Sequence, residues 1–247
     1  DFEESRSQIF DGIFGNDNNG TSLVATAGST SADGVVPRVI AEWKLSDATS
    51  LNAQISQGFR LGGINDPLNV TLCSEQDLVI YGGQENWDDE ESLNYEGGVR
   101  YTDERYSADA IVFYSDYRNT IKNCTVANPC TGGLTVGTES LGESQIQGVE
   151  IGLNTEFGAA AGTTWPLRLS YTWTDAEVTE DSETRNVLEG DNLADIPEQV
   201  AALSLGLVHP SGWDSYLNAS YIDETCSTTT CDRAGVDDRF LLTEDLF

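Results

Sequence analysis

Leu51-Asn52-Ala53-Gln54-Ile55-Ser56-Gln57-Gly58-Phe59-Arg60 decides the fold. Successive side chains of a strand point to opposite faces, so period two builds two different surfaces. Leu51, Ala53, Ile55 and Phe59 share one face, and Asn52, Gln54, Ser56, Gly58 and Arg60 share the other. The pattern returns at Leu167, Leu169, Tyr171 and Trp173 against Arg168, Ser170, Thr172 and Thr174. Working outward, Val35, Val39, Ala41, Trp43 and Leu45 line one side of a strand from about Val35 to Leu45, opposite Arg38, Glu42 and Lys44. Further strands set Leu93, Tyr95, Val99 and Tyr101 against Asn94, Glu96 and Arg100, and Val149, Ile151 and Leu153 against Gly148, Glu150, Gly152 and Asn154. Two more place Ala201, Leu203, Leu205 and Leu207 together, and Trp213, Leu217, Ala219 and Tyr221 together. The strand at Tyr106–Tyr114 is mixed, because Ile111 and Phe113 fall on its polar side. A ninth strand begins near Arg239, and Gln8–Phe14 suggests a strand end.

The connections alternate in length. Short turns carry turn-forming residues: Ser46-Asp47-Ala48-Thr49, Thr102-Asp103-Glu104-Arg105 and Pro210-Ser211-Gly212, with a Gly- and Ala-rich link at Phe157–Pro166. Long polar loops occupy Leu61–Glu91, Arg118–Gly142, Asp175–Asp195 and Ile222–Asp238. That asymmetry separates an outer-membrane barrel wall from an ordinary soluble sheet. Aromatic residues at the strand ends (Trp43, Phe59, Tyr101, Tyr106, Tyr114, Trp173, Trp213 and Tyr221) fit interfacial girdles. The expected class is therefore all-β: an antiparallel, up-and-down transmembrane β-barrel, with a polar second face suited to a wet or plugged lumen.

Twelve basic residues stand against 42 acidic ones, a net charge of −30. This repels nucleic acid and excludes a basic patch for anionic membrane surfaces. It serves either solubility in salt or the attraction of cations. No run reaches the roughly 18–20 apolar residues of a membrane-spanning helix. The chain opens on a polar stretch at Asp1 and contains no Met, so it is expected to be a processed product or a portion of something longer.

Cys124 and Cys130 share one loop and Cys226 and Cys231 another, which suggests two intraloop disulfides in an oxidising, extracytoplasmic space; the other reading is four free thiols. Cys73 is left over. No catalytic constellation stands out, and an enzyme is not expected. One histidine, His209, rules against a His-based triad or a His-rich metal site, and no nucleotide or hydrolase motif occurs. Asn16-Asp17-Asn18-Asn19-Gly20 lacks the first and closing ligands of a calcium loop. No cofactor or metal residue is assigned. Sequons at Asn19, Asn69, Asn123 and Asn218 would matter only in a eukaryotic secretory protein.

Six stretches, in order, resemble the TonB-dependent outer-membrane receptors. Val36-Pro37-Arg38-Val39 followed by Ser56-Gln57-Gly58-Phe59-Arg60-Leu61-Gly62-Gly63-Ile64-Asn65 is similar to the family's strand–turn–strand ending in "GFR-x-GG-x-N". Asn94-Tyr95-Glu96-Gly97-Gly98-Val99-Arg100 resembles its "NYE-x-G-x-K/R" strand. Val112-Phe113-Tyr114-Ser115-Asp116-Tyr117 resembles "FY-x-DY", and Ser144-Gln145-Ile146-Gln147-Gly148-Val149-Glu150 resembles "S-x-GVE". Tyr171–Ala176 and Gly190–Pro197 are similar to the strand and loop that follow.

The resemblance implies a 22-stranded barrel closed by a separate plug domain. It implies active uptake of a scarce nutrient such as a ferric siderophore or cobalamin, energised through TonB, in the bacterial outer membrane. Partners would be a small-molecule or metal-chelate ligand, TonB through the plug, and outer-membrane lipid, with no nucleic acid. Residues 1–247 would then be part of the barrel, about nine strands, with plug and terminal strands absent; Phe247 is read as a coincidental end. The four long loops would form the vestibule, whose acidity favours cationic ligands. Two alternatives stay open. One is a soluble extracellular β-sandwich binding module with loop disulfides. The other is a complete small barrel, whose interior Gly58, Gly98, Gly148, Gly152 and Gly206 would leave poorly filled.

Overall fold

The computed structural model describes residues 2–6, 28–32, 35–64, 86–124, 137–158, 162–181, 187–229, 231 and 239–240. Strand β1 (Phe2–Arg6) pairs with β2 (Gly28–Ala32) as a separate ribbon. The wall opens with β3 (Arg38–Lys44) and β4 (Thr49–Arg60). A small ribbon of β5 (Gly63–Ile64) and β6 (Asn86–Trp87) leads to β7 (Glu90–Thr102) and β8 (Tyr106–Arg118). A second ribbon, β9 (Ile121–Asn123) with β10 (Thr138–Ser140), precedes β11 (Ser144–Gly158) and β12 (Thr164–Val178). The wall ends with β13 (Gln199–His209) and β14 (Trp213–Ile222), and β15 (Thr225–Cys226) pairs with β16 (Arg239–Phe240). The expected strand near Arg239 is thus β16, which joins the loop beyond β14 instead of extending the wall. Gln8–Phe14, Asn16–Gly20, Cys73, Cys130 and Phe247 lie outside the described residues.

Eight strands form one antiparallel sheet in the order β3-β4-β7-β8-β11-β12-β13-β14, each beside its neighbour in sequence. Among the described residues the sheet does not close on itself, the other sheets are two-stranded ribbons, and its apolar face is left exposed. A closed eight-stranded barrel and a sandwich are both excluded for the described chain.

The register carries the two faces across the whole wall. One row runs Trp43–Leu51–Val99–Ala110–Ile151–Tyr171–Ala201–Tyr221. The adjacent row runs Lys44–Ser50–Arg100–Asp109–Gly152–Ser170–Ala202–Ser220. A slip of one residue in any strand would interchange apolar and polar side chains. The apolar face stays exposed: Val112, Ile151, Leu169, Leu203 and Leu217 are all open, Val112 at 58%. On β12 it extends from Trp165 to Trp173, about 26 Å along the strand at ~3.3 Å per residue. That is comparable with the apolar band of about 25 Å around a membrane barrel.

Aromatic side chains bound the band at both ends. Trp43, Tyr101, Tyr106, Phe157, Trp165 and Trp213 are exposed near the short turns. Tyr95, Tyr114, Trp173 and Tyr221 are exposed toward the long loops, and the Tyr95 and Tyr114 rings lie 6.3 Å apart. Phe157 and Trp165 pair in register, so β11 and β12 run further than the expected Phe157–Pro166 link. Pro166, which has no N–H, interrupts the β12–β13 ladder between Thr164 and Leu167. Pro37 likewise holds the start of β3 back to Arg38, although its carbonyl accepts the Gln57 N–H at 3.0 Å.

All short turns lie at one end. In the first, the Ser46 hydroxyl accepts the N–H of Thr49 at 3.0 Å. In the second, Asp103 Oδ1 accepts the N–H groups of Arg105 and Tyr106 at 2.8 and 2.7 Å, and Oδ2 accepts the Tyr101 hydroxyl at 2.6 Å. The Tyr101 hydroxyl, then these two amides, hold the Asp103 carboxyl below its ordinary pKa. At the fourth turn His209 stacks on Trp213 at 5.3 Å and shares a 2.6 Å hydrogen bond with the Ser211 hydroxyl, while Gly212 supplies φ +94°. His209 is a strand-end residue, as expected.

The packed core lies at the opposite end, beneath the long loops. Leu141, Ala176, Val178, Val187 and Leu193 are buried together, with Ile146 and Ile196 against them; Val178 is 0% exposed. β12 reaches Val178, past the expected loop start at Asp175, because the returning segment pairs with it: Val178 N–H donates to Asp191 O at 2.8 Å and Leu193 N–H to Ala176 O at 2.9 Å.

Three outcomes test this architecture in the full-length protein. Ile151→Arg, in the middle of the apolar band, destabilises the folded barrel in lipid vesicles by about 2–4 kcal/mol in a urea titration. Leu193→Ala costs the loop layer about 2–5 kcal/mol and exposes it to limited proteolysis while the wall stays protected. Asp103 has a folded pKa below its unfolded one, so its stabilisation is complete at neutral pH and fades as pH falls through the lowered value. Amide exchange at Arg105 and Tyr106 is therefore faster in Asp103→Ala than in the native protein at neutral pH, and the difference vanishes in strong acid.

Candidate functional site

The polar face of the wall is laced by hydrogen bonds between strands. Arg38 Nε donates to Gln54 Oε1 at 2.9 Å, and Gln54 Nε2 donates to Glu96 Oε1 at 3.2 Å, linking β3, β4 and β7. Arg100 sits opposite Asp109 in register. Asn94 Nδ2 donates to the Ser56 carbonyl and the Ser92 hydroxyl at 3.2 and 3.1 Å. The bulky residues that looked misplaced on β8 lie over glycines. A Cβ on Gly148 would come within 2.5 Å of the Phe113 ring, and one on Gly98 within 3.0 Å of Ile111. Tyr216 and Pro166 crowd Gly206 in the same way. Glycine lets large side chains lie flat along this face, so it is covered without becoming an apolar core.

At the long-loop end the apolar face also turns polar. Gln147 Nε2 donates to Asp175 Oδ2 at 2.9 Å, and Gln145 Nε2 donates to Glu177 Oε1. Gln199 accepts the Tyr171 hydroxyl at 3.2 Å and donates to Asp223 Oδ2 at 3.2 Å; Asp223 Oδ1 accepts the Tyr221 hydroxyl at 3.0 Å. Each acidic residue is thus held by an amide of the neighbouring strand.

The described parts of the long connections are hydrogen-bonded to one another over this rim. Thr120 and Ser144 hydroxyls share a 2.6 Å hydrogen bond, Ile121 N–H donates to Glu90 Oε2 at 2.7 Å, and Gly62 N–H donates to Asp89 Oδ1 at 2.7 Å. Lys122 and Glu139 form a 3.8 Å ion pair across the β9–β10 ribbon with both side chains largely buried; burial pushes the Lys122 pKa down, and Glu139 partly opposes it. Asp195, in the left-handed region at φ +64°, donates its N–H to Cys226 O at 2.8 Å, joining the loop before β13 to the loop after β14. Cys226 and Cys231 form a disulfide with Cα atoms 5.7 Å apart. Cys124 is also disulfide-bonded and buried.

Between these two loops lies a cavity of about 290 Å³, lined by Thr174, Asp175 and Ala176 from the end of β12, by Asn192, Leu193, Ile196 and Glu198, and by Asp223, Glu224, Thr225 and Cys226. It lies mostly within two of the loop regions singled out from sequence, Asp175–Asp195 and Ile222–Asp238, and takes Thr174 from just before the first and Ile196 and Glu198 from just beyond it. Of its lining the sequence reading assigned only Cys226 a site role; Thr174–Ala176, Asn192, Leu193 and Ile196 entered it only as strand and family-like residues. The available signal was apolar Leu193 and Ile196 inside an acidic loop. Among the described residues no group of three or more His, Cys, Asp or Glu side chains is placed to hold a metal ion.

A family model described as TonB dependent receptor-like, beta-barrel, matches residues 9–240. No curated protein matches the chain. Among solved structures, the ferric yersiniabactin uptake receptor FyuA from Yersinia pestis is similar at a TM-score of 0.64 and 19% identity, over 89% of this chain and 30% of that one. The copper transporter OprC is similar at 0.56 and 15% identity, over 92% and 31%. The ferric citrate transporter FecA, in its unliganded form, is similar at 0.56 and 19% identity, over 81% and 27%. These likenesses show the fold, and the chain spans under a third of the length of each. With the family model covering most of its length, the chain belongs to the TonB-dependent receptor β-barrel family of the bacterial outer membrane.

Proposed function

We propose that the chain is part of the wall of an outer-membrane active-transport receptor for a scarce nutrient, a ferric siderophore, cobalamin or similar, energised through TonB. The observation that carries this reading is the polarity of the wall: every short turn lies at one end of an exposed apolar band and every long loop at the other. In an outer-membrane barrel the short turns face the periplasm and the long loops face outside. The loop layer then forms the rim of the vestibule, and the polar face lines a lumen occupied by a plug domain supplied by the rest of the full-length protein. Strands β3 and β14, each hydrogen-bonded on one side only among the described residues, support pairing with further barrel strands. Cys130, six residues on in sequence, is the proposed disulfide partner of Cys124 in the external loop. The acidic rim disfavours anionic ligands and favours cationic ones.

Deleting the gene from its host, and separately deleting TonB, tests the proposal by uptake of radiolabelled ferric chelates and cobalamin under limitation. Loss of uptake of the same compound in both strains is expected. Unchanged uptake of every compound in the receptor deletion, or uptake indifferent to TonB, contradicts it.

A further inference from the structure

Two long loops meet beyond the end of the β13–β14 ladder. The ladder closes where Asp223 N–H donates to Gln199 O at 2.9 Å. Past it, Asp195 N–H donates to Cys226 O at 2.8 Å and joins the loop before β13 to the loop after β14. Asp195 stands in a turn at φ +64°, a conformation that Asp tolerates better than most residues. Cys226 is held from the other side by its disulfide to Cys231, a sequence separation of 5, and by the pairing of β15 with β16. Both cysteines are buried, Cys231 at 2% exposure. A ring this short removes little loop-closure entropy from the unfolded chain, so the bond acts mainly on the local position of Cys226. Cys226 also lines the rim cavity together with Leu193, Ile196 and Glu198 of the other loop, so whatever moves Cys226 moves the cavity wall.

We propose that the Cys226–Cys231 disulfide is a redox-sensitive latch of the rim. Closed, it keeps the Cys226 carbonyl where the Asp195 N–H meets it and holds the two loops together along the cavity. Opening takes a dithiol. Two electrons and two protons pass to the disulfide, the dithiol is oxidised to a cyclic disulfide, and Cys226 and Cys231 become thiols. The Cys226 carbonyl then loses one of its two anchors and keeps the two-residue pairing of β15 with β16. Burial of Cys231 shields the bond, so the attacking thiolate gains access as the loop opens, and the closed latch is guarded kinetically. The inference stands apart from the transport proposal, since it needs neither TonB nor cargo.

Hydrogen–deuterium exchange of the full-length protein in detergent tests it, in the native protein before and after dithiothreitol and in Cys226→Ser combined with Cys231→Ser. Thiol alkylation with peptide mapping records which disulfide is open. Exchange at the Asp195 amide, read from overlapping peptides, is expected to quicken about fivefold to tenfold in the reduced protein and in the double serine variant alike, the worth of about one backbone hydrogen bond. Dithiothreitol adds nothing further there in the variant, which separates this disulfide from that of Cys124. Wall peptides at Val149–Leu153 and Leu167–Tyr171 exchange at the native rate, because the β11–β12 ladder is untouched. Unchanged exchange at Asp195 once Cys226 and Cys231 are free thiols, or are replaced by serine, overturns the proposal. A further rise with dithiothreitol in the variant assigns the effect to Cys124 and overturns it too. Faster exchange in the wall peptides does the same, since the bond then holds the whole fold and not one contact.

Discussion

The structure depends on lateral backbone hydrogen bonding. In hydrocarbon an unmatched N–H or C=O costs several kcal/mol, so each strand must pair with its neighbours along the whole crossing. Long strands of 10–15 residues, from β4 and β7 through to β14, satisfy this, and each pairs with its neighbour in sequence. Once that pairing is set, register follows for every side chain. Trp43 and Tyr221 stand at opposite edges of the sheet, yet one continuous row joins them across eight strands. The lipid-facing surface is a consequence of the ladder and has no packed interior of its own.

Among the described residues the wall has no apolar core, and packing moves to the loops. Leu141, Val178, Val187 and Leu193 are buried where β12, paired with β11, runs past the start of β13 and the chain folds back. This small core packs the described ends of the loops before β11 and before β13 against the wall in spite of their acidity. The ion pair of Lys122 with Glu139 and the amide-held carboxylates of Asp175 and Asp223 show how charge is carried there: beside a specific donor, at the end of the wall away from the short turns. The rim cavity arises from the same geometry, because β13 starts at Gln199 while β12 and the loop after β14 continue beyond it.

Much of the wall was legible from residue order. Period two in Leu51–Arg60 and Leu167–Trp173 set faces, and turn residues set the short end. Ile111 and Phe113 were opaque, because what admits them is a glycine on another strand: Gly98 from β7 and Gly148 from β11. The end of β12 was also misplaced, since Asp175 and Glu177 look like loop residues until amides from β11 are seen to hold them. Among the site residues, Cys226 and Cys231 were visible by proximity in sequence. Thr225, Glu198 and Leu193 were not, because they line one cavity only through the meeting of two loops about thirty residues apart.

The sequence by itself determined alternation, the two classes of connection and the family, since these are properties of near neighbours and short ordered motifs. Only the tertiary structure decided register across eight strands, the open edges, the buried loop core and the acid-lined cavity. The physical reason is that each of these depends on which strand or loop lies beside which, and lateral pairing brings together residues that local pattern leaves far apart.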